Sequence, residues 1–181
     1  FTATDDCGNS SQTSAEFRIE DNTVPMIDVE AEDALVECDG SGNDQELQAW
    51  LDNNGGATAS ETCSPNGIVW TNDYTSLVAD CGESGSVTVI FTATDDCGNE
   101  ATTSATFTIG DTTAPVMEIE AVDEVADCDG AGNQNALDAW LAANGGASAT
   151  DACSDVVWTN DFIDLSNECG NTGTALVTFT A

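Results

Sequence analysis

An internal repeat of about 90 residues constrains this chain more than any other feature. The run FTATDDCGN stands at 1–9 and returns unchanged at 91–99, and CDGSGNDQELQAWLDNNGGATASETCS at 38–64 is matched by CDGAGNQNALDAWLAANGGASATDACS at 128–154. VWTNDY at 69–74 is matched by VWTNDF at 157–162. Cys7, Cys38 and Cys63 recur 90 positions on as Cys97, Cys128 and Cys153, and a two-residue deletion brings Cys81 to Cys169 at a spacing of 88. Self-similarity at such a period is the signature of an array in which each unit is one structural module. The expected division is 1–20 as the C-terminal strands of a preceding repeat, 21–110 as a complete repeat and 111–181 as an incomplete one, cut from something longer.

Within the complete unit the pattern is mostly that of strands. Val87, Val89, Phe91 and Ala93 alternate with Thr88, Ile90 and Thr92, and Ala105, Phe107 and Ile109 alternate with threonines. Period two with β-branched and aromatic residues predicts half-buried strands. DDCGN between them, with Gly98 free to take a positive φ, predicts a hairpin turn. Ile27 with Val29, Leu35 with Val36, and Val69 with Trp70 add shorter strands. One helix interrupts them: Asn43 as N-cap, Glu46 completing a capping box, an apolar stripe of Leu47, Trp50 and Leu51, and Gly55 as the stop. The second copy keeps Asn133, Leu137, Trp140 and Leu141 but has Ala136 at the box position. The expected fold is all-β: tandem Ig-like β-sandwich repeats with a short inserted helix, arranged as an extended rod. Trp50 and Trp140 are expected to pack helix against sheet.

Charge narrows the function. Asp and Glu number 34 against a single basic residue, Arg18, with no histidine and a formal net charge of -33. Hydrophobic residues still make up 40% of the chain, so a folded core is expected rather than a disordered acidic tail. A nucleic-acid partner is excluded because phosphate contacts need Lys and Arg. Direct membrane insertion is excluded because no apolar run reaches the roughly 18 residues of a span. Catalysis is not expected either, since no histidine or charge clamp is available and the acidic pairs sit in repeated turns.

Eight cysteines, none in a CxxC pair and none accompanied by histidine, read as disulfides and place the protein outside the reducing cytosol. In a sandwich of this order Cys63 approaches Cys97 at one pole, which predicts Cys63–Cys97 with Cys38–Cys81, and Cys128–Cys169 in the next unit. That scheme leaves Cys7 and Cys153 without partners. Pairing Cys38 with Cys63 and Cys81 with Cys97 is the alternative, and sequence does not choose between them.

The aspartates of DDCGN belong to the same pole. The linker EDNTVP brings Asp21 toward Asp95 and Asp96, with Glu61 two residues from Cys63 and Asn99 as a further oxygen donor; GDTTAP places Asp111 likewise in the following unit. Carboxylates crowded without a basic side chain need a cation, and loops offering carboxylate and carbonyl oxygens suit Ca²⁺. The competing reading is plain turn chemistry, with each Asp bonding its own backbone. DGSGND at 39–44 has calcium-loop spacing, yet Ala131 replaces Ser41 in the second copy, so a turn and helix cap are expected there.

The combination FTATDDCGN…TSATFTIGDTTAP, CDGAGN…LDAWLAANGGASATDACS and VWTNDF resembles the HYR-like, Ig-type repeats of very long secreted surface proteins of Bacteroidetes, including gliding and attachment adhesins exported by type 9 secretion. The resemblance implies an extracellular or cell-surface stalk with calcium at its module junctions. The expected function is a stalk segment, rigidified by disulfides and inter-repeat calcium, whose partners are neighbouring repeats of the same chain. The alternatives are a glycan-binding module using Trp70, Trp158, Asn72 or Asp73, and a subunit of a laterally packed filament of like chains.

Overall fold

The structure, a computed structural model, describes residues 1–64, 66–166, 168, 170 and 172–181. Two short strands, β1 (Thr2–Thr4) and β2 (Ser10–Gln12), form an isolated antiparallel pair. They are followed by β3 (Met26–Val29), β4 (Ala34–Glu37), helix α1 (Asp44–Asp52), β5 (Thr58–Ser60), β6 (Val69–Asn72), β7 (Val78–Ala79), β8 (Gly85–Thr94) and β9 (Glu100–Gly110). The rest of the chain holds β10 (Val116–Ile119), α2 (Gln134–Ala142), β11 (Ser148–Thr150), β12 (Thr159–Asn160) and β13 (Phe179–Thr180). Strand exceeds helix, 31% against 14%, and the sheets are open, so the chain is β-rich.

The longest ladder is where the alternation is cleanest. β8 and β9 pair antiparallel from Gly85↔Ile109 to Thr94↔Glu100, across the DDCGN turn. β4 joins β9 in parallel and β6 joins β8 antiparallel, giving the order β4-β9-β8-β6, with β7 also on β8. A separate two-stranded sheet joins β3 to β5. One face of β8 and β9 is dry: Val89, Phe91, Ala93, Ala105, Phe107 and Ile109 are buried. On the other face the Thr88 and Thr106 hydroxyls bond at 3.0 Å and Ile90 is exposed. Period-two residues on opposite sides of a pleat produce this division directly.

Helix α1 covers the dry face. Leu47 and Leu51 are buried against it, and Trp50 meets Phe91 edge-on at 5.2 Å and Phe107 at 5.5 Å. The Trp50 Nε1–H donates to the Glu32 carbonyl at 3.1 Å, which satisfies the one polar atom of the indole.

The helix begins differently from the expected capping box. Asn43 sits in the left-handed region at φ 53, and its side chain makes no cap bond. Its Nδ2 donates to the Glu37 carbonyl at 3.0 Å, and its Oδ1 accepts from the Asp39 N–H at 3.2 Å. The amide therefore closes the DGSGND turn, leaving Asn43 O to accept the Leu47 N–H. Gly55 likewise does more than end the helix: at φ +64 in a 3₁₀ turn, a Cβ there would lie 3.0 Å from the Phe91 ring.

The second half repeats these local solutions. β10 pairs with β11 as β3 does with β5. Trp140 stands 5.2 Å from Phe179 and donates to the Val122 carbonyl at 3.1 Å. Leu137 and Leu141 are only half-buried. Residues 1–20 are exposed throughout, and Arg18 pairs there with Glu16 and Glu20.

Candidate metal and disulfide junction

The turn after β8 gathers acidic side chains at one pole of the 21–110 unit. Asp95 Oδ1 accepts the N–H groups of Cys97 and Asn99 at 2.8 Å each, and its Oδ2 accepts the Asn99 side-chain amide at 2.8 Å. Burial opposes ionisation of this carboxyl, but the Asn99, Cys97 and Gly98 hydrogen bonds outweigh it and hold its pKa below the ordinary 3.8. Asn99 also donates to the Asp21 carbonyl at 3.3 Å, tying the incoming linker to the turn. Asp96 ties a third segment: its Oδ2 accepts from the Asn66 N–H and side-chain amide, and its own N–H donates to Ser64 Oγ at 2.9 Å.

Asp21 and Glu61 meet beside this turn. One ligand atom from each of Asp21, Glu61 and Cys63 lies within 4.8 Å of the other two. Asp21 Oδ1 accepts the Thr23 N–H at 3.0 Å, whereas its Oδ2 is buried with no hydrogen-bond partner among the described residues. A buried carboxylate oxygen left unmatched is costly unless a cation meets it. Asp95 is consumed by its own turn and Asp96 by Asn66, so of the expected ligands Asp21 and Glu61 are the pair that converge. Asn99 serves as a donor to both Asp21 and Asp95 through its amide nitrogen.

The same constellation recurs one unit on, where Asp111, Asp151 and Cys153 bring ligand atoms within 4.8 Å of one another. Ser154 Oγ donates to Asp111 Oδ2 at 3.4 Å and to Asp151 Oδ1 at 3.3 Å. Asp151 occupies the position of Glu61, 90 residues later, a signal that was present in the repeat itself.

The second constellation adjoins the opposite pole of the 21–110 unit, and here the cysteines depart from expectation. Cys38 is bonded to Cys153, 115 residues away with Cα atoms 6.0 Å apart, rather than to Cys81. Cys63 and Cys97 are neighbours at their pole but carry no bond between them, and Cys7 and Cys81 are also unbonded and exposed. Cys169, the expected partner of Cys128, lies outside the described residues. The geometric reason is that β4 leads Cys38 to the rim where β9 leaves the sheet: the Cys38 N–H donates to the Gly110 carbonyl at 2.8 Å. The 152–154 segment of the next unit reaches the same rim, and the Glu83 N–H donates to the Cys153 carbonyl at 2.8 Å. At the other pole, burial and the charges of Asp21, Asp95 and Asp96 push the Cys97 thiol above its ordinary 9.0.

Glu37 is the residue that sequence reasoning missed. Its carboxylate accepts the Thr112 N–H at 2.9 Å, the Thr112 hydroxyl at 2.8 Å and the Thr113 hydroxyl at 2.8 Å. The Thr112 N–H and the two hydroxyls lower its pKa below the ordinary 4.5. The Glu37 carboxylate, at the end of β4, thereby grips the 112–113 segment that follows β9. Nothing in the spacing of Glu37 connected it with GDTTAP, because the contact depends on the parallel β4–β9 pairing.

The candidate glycan residues have local duties. Trp70 is half-buried against the core. Asn72 Oδ1 accepts the Tyr74 N–H at 3.2 Å, and Asp73 Oδ1 accepts the Ile90 N–H at 2.8 Å. No helix among the described residues is long and apolar enough to cross a membrane. No family model matches the chain, and no curated protein or solved structure is similar to it.

Proposed function

We propose that this chain is a stalk segment of a long secreted or cell-surface adhesin, built of Ig-like repeats whose junctions are stiffened by disulfides and calcium, and that it holds a distal binding region away from the cell. The observation that carries the reading is the Cys38–Cys153 bond, which joins one unit to the next across the linker that Glu37 grips. The Ig-like reading is supported by the order β4-β9-β8-β6 beside a separate β3–β5 sheet.

Calcium suits the junction better than a softer ion. In the second constellation Cys153 is consumed in a disulfide, leaving Asp111 and Asp151 as oxygen donors. Asp21 and Glu61 would hold the ion in the first, where it would neutralise the orphan Asp21 Oδ2. The glycan alternative is disfavoured by Trp70, which lends its ring to the core, and by Asn72 and Asp73, which bond backbone.

Thermal melting with calcium and with chelator tests the metal. A site of extracellular type, with Kd on the order of 10⁻⁴–10⁻³ M, stabilises by about 1.4–2.7 kcal/mol at roughly 10 mM ion. Asp21→Asn lowers that gain. An identical melt with calcium and with chelator contradicts the calcium part of the reading.

A further inference from the structure

The two acidic constellations are related by the 90-residue repeat, yet they are satisfied differently. In the second, Ser154 Oγ donates to Asp111 Oδ2 at 3.4 Å, and Cys153 is spent in its bond to Cys38. In the first, Asp21 stands where Asp111 does, but its Oδ2 is buried with no hydrogen-bond partner among the described residues. Ser64, the counterpart of Ser154, is engaged elsewhere: its Oγ accepts the Asp96 N–H at 2.9 Å and donates to the Gly67 carbonyl at 3.2 Å. The oxygen that a hydroxyl satisfies in one unit is left unmatched in the other.

The sulfur differs in the same sense. Cys63 is exposed and unbonded, whereas Cys153 is 4% exposed and bonded. The Cys63 Sγ and one carboxylate oxygen from each of Asp21 and Glu61 all lie within 4.8 Å of one another. Donors about 2.0–2.3 Å from a shared tetrahedral ion stand roughly 3.3–3.8 Å apart, so small side-chain adjustments bring these three onto one ion. Local bonds hold them ready. Glu61 Oε1 accepts the N–H groups of Thr62 and Cys63 at 2.6 and 3.3 Å, Asp21 Oδ1 accepts the Thr23 N–H at 3.0 Å, and the Asn99 amide holds the Asp21 carbonyl at 3.3 Å. The one basic side chain of the protein, Arg18, pairs with Glu16 and Glu20 and does not answer this charge.

The donor set decides the ion. Calcium takes about six to eight oxygen ligands and gains little from sulfur, whereas zinc and its thiophilic relatives take four ligands with thiolate among the preferred. Two carboxylates and a thiolate, with water in the fourth position, make an open tetrahedral set. We propose that Asp21, Glu61 and Cys63 form a binding site for a thiophilic divalent cation of the zinc class, with Cys63 bound as the thiolate. Binding forms one metal–sulfur bond and releases the Cys63 proton to solvent. The inference rests on the reading that a cation meets Asp21 and Glu61, and changes the identity of that cation while Cys63 is a thiol. At Asp111 and Asp151, where the sulfur is spent, the donors that remain are oxygen.

The test is alkylation of the full chain by N-ethylmaleimide, with zinc and with chelator, read at each cysteine by peptide mapping. A metal-bound thiolate is shielded by the factor 1 + [Zn²⁺]/Kd, so alkylation of Cys63 is expected to slow about tenfold at roughly ten times Kd. Cys7 and Cys81 are expected to react as fast with zinc as with chelator. Asp21→Asn and Glu61→Gln, both close in shape to the native residues, weaken the protection of Cys63. Calcium at equal concentration leaves Cys63 as reactive as chelator does. Equal rates at Cys63 with zinc and with chelator overturn the inference, as does protection no greater than that of Cys7, or recovery of Cys63 from the purified protein bonded to Cys97. A calcium-dependent melt beside any of these outcomes defeats the zinc site alone. Zinc protection beside a calcium-independent melt counts against calcium alone.

Discussion

Glu37 shows how much of a junction can depend on one side chain. Its carboxylate receives one backbone and two hydroxyl hydrogen bonds from Thr112 and Thr113, and these favour the ionised form. Because its folded pKa lies below the ordinary 4.5, the hold is fully present above that value and is lost as pH falls through the lower, folded one. The Thr112 amide is therefore expected to lose protection from hydrogen exchange in an acid titration below the ordinary carboxylate range. In Glu37→Gln that protection is already weak at neutral pH and insensitive to acid. A Thr112 amide equally protected in both proteins across the titration would show that the linker is held by something else. At the opposite pole Asp95 and Asp96 are matched by amide donors, whereas Asp21 keeps a buried oxygen with no hydrogen-bond partner among the described residues.

At the scale of elements, the alternation in SVTVIFTA and SATFTIG was enough to place β8 and β9 and to name their buried face, because period two has one geometric meaning on a pleated strand. The helix was legible for a similar reason: Leu47, Trp50 and Leu51 fall on one stripe. Its start was not, because an asparagine before a helix can spend its amide forward on the first turn or backward on the preceding loop, and Asn43 does the latter. The disulfides were the least legible. Their pairing depends on which segments share a rim, and the rim at Cys38 is made by a parallel strand and by the next unit, neither of which is encoded locally. Packing at the centre of the unit gives a direct prediction. Phe91 is fully buried and touched by Trp50, so Phe91→Ala is expected to cost about 3–5 kcal/mol in chemical denaturation. Gly55→Ala, at φ +64 and against the same ring, should also destabilise the fold, by about 1 kcal/mol or more. Near-wild-type stability for both would mean that the helix does not depend on this contact.

The whole molecule carries a net charge of -33 with one basic side chain, and self-repulsion works against every compact junction. One device opposes it, and the proposed ions would be a second. A covalent bond across 115 residues restricts the unfolded chain by about 4–5 kcal/mol of entropy, and cations at the carboxylate pairs would screen the junction locally. The DDCGN motif is thus two things at once, a turn that spends Asp95 on its own backbone and a platform that fixes Asp21 and the Cys63 segment around it. Small-angle scattering of the oxidised chain in calcium, set beside Cys153→Ser in chelator, tests the proposed stiffness of the junction directly. The oxidised chain is expected to fit one elongated shape, and the variant a broader distribution of interunit angles. Indistinguishable scattering curves from the two samples would contradict the claim that bond and ion together hold successive units in line.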